Sequence, residues 1–298
     1  MRIIVTGSTG LIGSALLPRL QEAGHSATGL ARGVAADPDT PWWDPAAGTI
    51  SAGALNGADA VIHLAGEGIA AGRWTRARKA LIRDSRVNGT RILGEALARA
   101  ATPPRVLVAA SALGFYGDRG DELLDESASP GHGFLADTCQ EWEAAAEPAR
   151  ARGIRVVHLR TGIVLSAAGG ALGKMLLPFK LGVGGVLGAG QQFMSWLALD
   201  DAVAIIIHSL TSEALRGPVN AVTPTAVTNR EFTKTLGRVL RRPTVLPLPA
   251  FAIRLMFGEM GEALLLGSTR VLPARLMRDG FEFRYPTLEG ALRHELGR

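Results

Sequence analysis

The segment Thr6-Gly7-Ser8-Thr9-Gly10-Leu11-Ile12-Gly13 has the spacing of a phosphate-binding turn. It follows a short β-branched run, Arg2 to Thr6, and leads into a helical pattern, Leu11 to Ala23, that stops at Gly24. The glycines have separate tasks: Gly7 permits the turn, Gly10 lets the backbone approach a ligand, and Gly13 lets the helix pack close to the strand. The helix start then offers free amides and a positive dipole end to a pyrophosphate. An ordinary strand-to-helix turn is the plainer reading, but the following strand and helix units favour a dinucleotide. The second strand, Ser26 to Ala31, bears on which one. NAD-binding strands end in a carboxylate that accepts bonds from the ribose hydroxyls. Here the tip reads Gly29-Leu30-Ala31-Arg32-Gly33, with no acid. Arg32 is either a surface arginine or a partner for a 2′-phosphate. NADP(H) is therefore expected in preference to NAD(H).

Such a loop must sit at the carboxyl end of a parallel sheet. Asp59 to Ala65, Arg105 to Ala110 and Ile154 to Leu159 read as further strands, separated by helical patterns over Ala77 to Ala101 and Phe134 to Arg152. This alternation predicts an α/β fold, a Rossmann-type doubly wound parallel sheet with a smaller C-terminal substrate lobe. Residues 1–165 are expected to form the nucleotide domain, with 193–222 returning to it. Residues 166–298 form the mixed lobe, including a C-terminal module at about 245–298. In that half, Gly169 to Gln192 is glycine-rich and Ser195 to Leu199 reads as a strand. Asp200-Asp201 reads as the capping start of a helix, Ala202 to Leu210, and Thr228-Asn229-Arg230-Glu231 resembles a capping box. Leu248 to Leu266 is an apolar helical stretch interrupted by Gly258 and Gly261.

Composition narrows the classes. The 298 residues are 47% hydrophobic and 20% charged, a globular balance. A net charge of +5 comes from arginines spread along the chain, so a solvated surface is preferred to nucleic-acid binding. The single cysteine, Cys139, forms no intrachain disulfide or thiolate cluster, and the six histidines lack metal-ligand spacing; no metal is expected. The chain opens on a strand pattern, not a signal peptide, and has no apolar run of about 18 residues. A cytoplasmic protein with no membrane partner is the expectation.

The glycine spacing and His63-Leu64-Ala65-Gly66 resemble the extended or atypical short-chain dehydrogenase/reductase superfamily, within its NAD(P)-dependent epimerase/dehydratase group. Val87-Asn88-Gly89-Thr90 and Ser111-Ala112-Leu113-Gly114-Phe115-Tyr116-Gly117 carry the same resemblance. Glu67, Arg73-Trp74-Thr75, Lys79 and Ser85-Arg86 resemble a narrower, poorly characterised epimerase-like branch. So do Arg160 to Leu165, Leu177-Pro178-Phe179-Lys180, Val271 to Leu276 and Gly280 to Pro286. Some members are labelled cell-division-inhibitor homologues, a role with no counterpart in these residues.

The resemblance implies contacts residue by residue. Gly7, Thr9, Gly10, Leu11, Ile12 and Gly13 would hold the pyrophosphate, and Arg32 the adenosine phosphate. Leu64, Ala65 and Gly66 would pass the ribose and the bridge, with Arg86 close by. Ser111 would end the strand beneath the nicotinamide, and Arg160, Thr161, Ile163 and Val164 would border the ring. It also implies a relay of serine or threonine, tyrosine, lysine and asparagine, the lysine making the phenol a usable base. Aligned on Tyr116-Gly117, Glu143 and Val87-Asn88, those positions hold Ala112, Leu135, Cys139 and Arg86. No Tyr-x-x-x-Lys occurs in the chain.

Three readings follow: an NADP(H)-dependent oxidoreductase or epimerase-like enzyme with other acids and bases, a non-catalytic NADP(H) sensor or regulator, or a binding module stabilised by the cofactor. For the first, Tyr116, Ser111 and Glu67 are the candidate catalytic residues, with Cys139 as a further one. Their plainer roles are packing for Tyr116 and Cys139, and a helix-start acid for Glu67. The substrate would be an unidentified small molecule, such as one resembling a nucleotide sugar, and a homodimer is left open.

Overall fold

β1 (Arg2–Thr6) is buried from its second residue onward, and its side chains alternate between two cores. Ile3 and Val5 pack with Leu16, Leu20, Ile62 and Val108 on one face. Ile4 packs with Val61, Leu93 and Leu107 on the other. A strand apolar on both faces requires helices above and below it. This computed structural model, which describes residues 1–33 and 40–298, supplies them.

After β1 come α1 (Leu11–Glu22), β2 (Ser26–Arg32), β3 (Trp42–Asp44), β4 (Thr49–Ile50), β5 (Ala60–His63) and α2 (Arg76–Arg99). β6 (Val106–Ala112), β7 (Leu123–Leu124), α3 (Phe134–Ala144), α4 (Glu147–Ala151) and β8 (Arg155–Thr161) complete the first half. The second half holds β9 (Ile163–Leu165), α5 (Gly170–Lys180), β10 (Phe193–Met194), β11 (Trp196–Ala198), α6 (Leu199–Thr211), β12 (Gly217–Ala221) and β13 (Val227–Thr228). It ends with α7 (Asn229–Leu240), α8 (Ala250–Phe257), α9 (Glu259–Gly261), β14 (Arg270–Val271), α10 (Ala274–Arg278) and α11 (Leu288–Glu295).

The main sheet has eight strands in the order β12-β8-β6-β5-β1-β2-β3-β4. Every pair is parallel except the terminal β3–β4 arm. From β1 the chain moves outward to β2, β3 and β4, then returns to the other side of β1 as β5. The strand order therefore reverses at β1 and β5, and a crevice opens over their carboxyl ends. A separate core of Leu172, Leu176, Phe179, Trp196, Phe232, Leu236, Leu288 and Leu292 joins α5, α7 and α11.

Three local expectations are revised. The helix read over Phe134 to Arg152 divides into α3 and α4. Pro148 lacks an N–H, and its ring conflicts with the carbonyl four residues back in a continuing helix. The break lets α2 approach closely: a Cβ on Gly94 would stand 3.5 Å from the Ala145 carbonyl oxygen. The stretch Leu248 to Leu266 is interrupted where expected, at Gly258 (φ +59°) and Gly261, and what is revised is its form: only Ala250–Phe257 (α8) and the short α9 are α-helical, and Glu262–Leu266 is a π-helical turn. Finally, Asp200 and Asp201 lie in the first turn of α6 but do not cap it. Asp201 accepts the amides of Arg284 and Tyr285 at 2.8 and 3.0 Å, pinning the C-terminal segment to α6, which packs on α1. Among the described residues no helix is long and apolar enough to cross a membrane.

Candidate functional site

The glycine loop lies over the crevice at β1 and β5. Gly7 has φ +70°, and a Cβ there would come within 2.7 Å of the Ala65 amide and the Leu64 carbonyl carbon. Only glycine lets this turn rest on the end of β5. A Cβ on Gly13 would overlap the Gly7 carbonyl oxygen, so this glycine permits α1 to sit against its own loop. Gly10 differs. It is the extended N-cap of α1, and its Cβ would meet only the Gly7 oxygen, at 3.3 Å. The side of Gly10 facing away from the loop is therefore open to a ligand. The Ser14 amide bonds the Gly10 carbonyl at 2.9 Å, while the preceding turn has the amides a helix leaves without internal acceptors. No acidic side chain occupies that first turn. Thr9 is exposed, and Leu11 and Ile12 are partly buried. Leu11 also touches the second half, since a Cβ on Gly170 would lie 3.1 Å from it.

Arg32 ends β2 on the same rim, exposed and in no ion pair among the described residues. Across the crevice, Leu64 donates its amide to the Thr6 carbonyl at 3.1 Å, leading into Ala65 and Gly66. The Arg86 guanidinium lies against Gly66, where a Cβ would stand 3.6 Å from its central carbon. Arg86 donates to the Ile82 carbonyl at 2.9 Å, stacks 5.1 Å from the Trp142 ring centre, and has no ion pair among the described residues. Burial lowers its pKa. A cation so placed, beside a bare backbone at the switch point, suits an anionic ligand.

Arg86 is itself one of the positions aligned with the relay, and two of the others lie together. Leu135 and Cys139 both face Gly114: a Cβ there would lie 3.0 Å from the Leu135 Cβ and 3.6 Å from the Cys139 Sγ. Burial pushes the Cys139 thiol up to about 12, so it is protonated at neutral pH.

Ser111, Tyr116 and Arg160 come together, but inside the protein. Paired in register on β6 and β8, Ser111 and Arg160 both reach Glu143 on α3. Ser111 Oγ donates to Glu143 Oε1 at 2.7 Å. Arg160 donates from Nε and Nη2 to the two Glu143 oxygens, each at 2.8 Å, and lies 3.3 Å above the centre of the Phe115 ring. Its Nη1 donates to the Tyr116 hydroxyl at 3.1 Å, and that hydroxyl donates to Asn220 Oδ1 at 2.7 Å. Tyr116 is wholly buried, and burial raises its pKa. Asn220 Nδ2 continues to the Leu272 carbonyl at 2.9 Å, in the C-terminal segment.

Of the three candidate catalytic side chains, Glu67 opens to solvent. Its carboxylate is held by Arg78 at 3.0 Å and its amide donates to Ser85 Oγ at 3.1 Å. Thr161 Oγ1 donates to the Leu159 carbonyl at 3.1 Å, and Ile163 and Val164 are half-buried on β9, beside β11. His63 is buried at the end of β5. Its Nδ1 lies 2.6 Å from Thr6 Oγ1, while Nε2 has no hydrogen-bond partner among the described residues. Sequence reasoning missed Glu143 and Asn220; an acid on a helix and an asparagine on a strand carry no local sign of partners elsewhere. No group of three or more metal-ligating side chains forms among the described residues.

Residues 3–221 match the model of the NAD dependent epimerase/dehydratase family, and residues 248–295 match a domain of unknown function (DUF1731). Epimerase family protein Mb2239 of Mycobacterium bovis is 43% identical over 290 residues, 97% of this chain and 96% of its own. The crystal structure of human epimerase family protein SDR39U1 (isoform2) with NADPH superposes with a TM-score of 0.89 at 33% identity, covering 100% of both chains. A nucleoside-diphosphate sugar epimerase from Corynebacterium glutamicum superposes at 0.82 with 37% identity, covering 100% of this chain and 58% of that one.

Proposed function

The chain belongs to the NAD dependent epimerase/dehydratase family, and from that premise we propose that it binds NADP(H) in preference to NAD(H) and acts with it on a small molecule. The observation that carries this reading is the pairing of an open α1 N-terminus with Arg86, an arginine beside Gly66 that lacks an ion-pair partner among the described residues. The pyrophosphate would rest on the amides of Leu11, Ile12 and Gly13, with Gly7, Thr9 and Gly10 shaping the loop. Leu64, Ala65, Gly66 and Arg86 would flank the ribose and bridge, and Arg32 would take the 2′-phosphate. The NADPH in the human relative's structure supports the same choice.

Bound NADP(H) would supply hydride transfer. The chain's own residues would handle the proton without the usual relay, since Ala112, Leu135 and Cys139 provide no base. Tyr116, Ser111 and Arg160 serve as positioning groups that hold the ends of β6 and β8, and Thr161, Ile163 and Val164 would border the ring. Glu67 is the side chain best placed to exchange a proton with substrate, oriented by Arg78. The names of the sugar-epimerase relatives make a nucleotide sugar the first substrate class to test.

A sensor reading is favoured by one specific observation: where the relay would place tyrosine and lysine stand Leu135, which has no ionisable group, and Cys139, whose buried thiol stays protonated at neutral pH. Calorimetry with NADPH and NADH tests the cofactor, and nicotinamide absorbance during incubation with nucleotide sugars tests turnover. Tight NADPH binding with no absorbance change across that set would favour the sensor. No binding of either dinucleotide would end both readings.

A further inference from the structure

Outside the crevice, one face of the second half leaves large apolar side chains in water. Leu177 and Leu181 stand one turn apart at the end of α5, 66% and 69% exposed. Phe251 and Leu255 repeat that spacing on α8, across from the buried Ile253, at 71% and 74%. Val183, Val245 and Leu246 are exposed in the segments between. Those segments are joined. The Leu248 amide bonds the Val186 carbonyl and the Gly188 amide bonds the Leu248 carbonyl, each at 2.9 Å. A Cβ on Gly182 would meet Pro243 at 3.7 Å, and Gly185 packs directly on the Leu246 backbone.

The carboxylates near these side chains are held in ion pairs, and the unpaired charges bordering them are cationic. The sequence contains no carboxylate side chain between Glu147 and Asp200, and none between Glu231 and Glu259; every apolar residue just named falls in those stretches. Arg238 and Arg254 are paired with Glu289 and Glu262. Lys180, Arg241 and Arg242 are exposed and join no ion pair among the described residues. Lys180 precedes Leu181, and Arg241-Arg242 precede Pro243, so the cations border the apolar side chains. Apolar groups beside free cations match a bilayer interface with anionic headgroups. Two copies packed face to face by a two-fold axis would instead bring the same cations together.

We infer that this face docks peripherally on the surface of a bilayer containing anionic phospholipid. Sedimentation of the full chain with vesicles tests it, comparing phosphatidylcholine alone with phosphatidylcholine mixed with phosphatidylglycerol. The chain should bind the mixed vesicles and dissociate in high salt. Two double variants, Leu181→Glu with Phe251→Glu and Arg241→Glu with Arg242→Glu, should each lower binding at least about tenfold, with unchanged circular dichroism and melting. Absence of binding to the mixed vesicles, equal binding to both lipids, or full binding by both folded variants would overturn the inference. A dimer that both variants abolish, without vesicle binding, would overturn it and assign the face to a second copy.

Discussion

Arg160 and Glu143 meet through two parallel hydrogen bonds of 2.8 Å at the junction of β8 and α3, with the Arg160 side chain only 4% exposed. Ser111 adds a bond to the same carboxylate, and Tyr116 adds one to the same guanidinium's outer nitrogen. The pair therefore ties two neighbouring strands to the helix that bears Leu135 and Cys139. Through Tyr116 and Asn220 it also reaches the C-terminal segment.

Breaking this pair from one side should be costly. Glu143→Leu leaves a buried guanidinium without its carboxylate and should lower stability by about 3–5 kcal/mol in urea unfolding. Adding Arg160→Met removes the stranded charge, so the double variant should recover part of that loss. A double variant no more stable than Glu143→Leu would show that the single-variant penalty is not that of an unpaired charge.

His63 makes stability depend on pH. Burial lowers its pKa from 6.5 to about 4. The unfolded chain therefore takes up a proton near pH 6.5, while the folded chain resists until about pH 4. Stability is greatest above the unfolded value and falls as pH drops through this window, by about 3 kcal/mol for this group. His158, also lowered to about 4 by burial, acts in the same direction. His63→Gln should reduce the slope of unfolding free energy against pH by about one proton between those limits. An unchanged slope would show that His63 titrates alike in both states.

The parallel doubly wound sheet was legible from the alternation of strand and helix patterns, and beyond it what could be read from the sequence was local. The glycine turn, the β-branched run from Arg2 to Thr6, and the Thr228–Glu231 capping box are set by neighbours in the chain, and all are present in the fold. The polar chain behind the crevice was not legible. Its links join residues 17, 44 and 104 positions apart, so only the folded sheet brings them together. Asp201 gave a misleading local signal: an acid at a helix start resembles a cap, while its partners lie 83 and 84 residues away. Tyr116 likewise stands in a segment that suggested chemistry, and its burial follows from the packing of Phe115, Leu124, Val222 and Val271 around it.

Gly10 and Gly13 should respond differently to one added methyl group. Gly13→Ala places a Cβ on the Gly7 carbonyl and should destabilise the fold as well as the site. Gly10→Ala meets only one oxygen, at 3.3 Å, and should change stability by less than about 1 kcal/mol. It should nevertheless weaken NADPH binding by about tenfold or more, because the methyl projects where the pyrophosphate is expected. Thermal melts and NADPH titration of both variants separate the two effects. Unchanged affinity in Gly10→Ala would place the pyrophosphate elsewhere.

Arg32 should set the choice between the two dinucleotides. Its guanidinium is exposed at the tip of β2, and no carboxylate follows in Ala31-Arg32-Gly33 to receive ribose hydroxyls. Arg32→Asp removes the cation and supplies an acceptor at the same place, so NADPH should lose affinity while NADH gains. The ratio of dissociation constants should shift toward NADH by at least about tenfold, since a charge-assisted contact is replaced by repulsion. Titration of both cofactors at two salt concentrations checks the cause, because an exposed phosphate contact weakens as salt rises. Equal losses for both cofactors would mean that Arg32 supports the loop without contacting the 2′-phosphate.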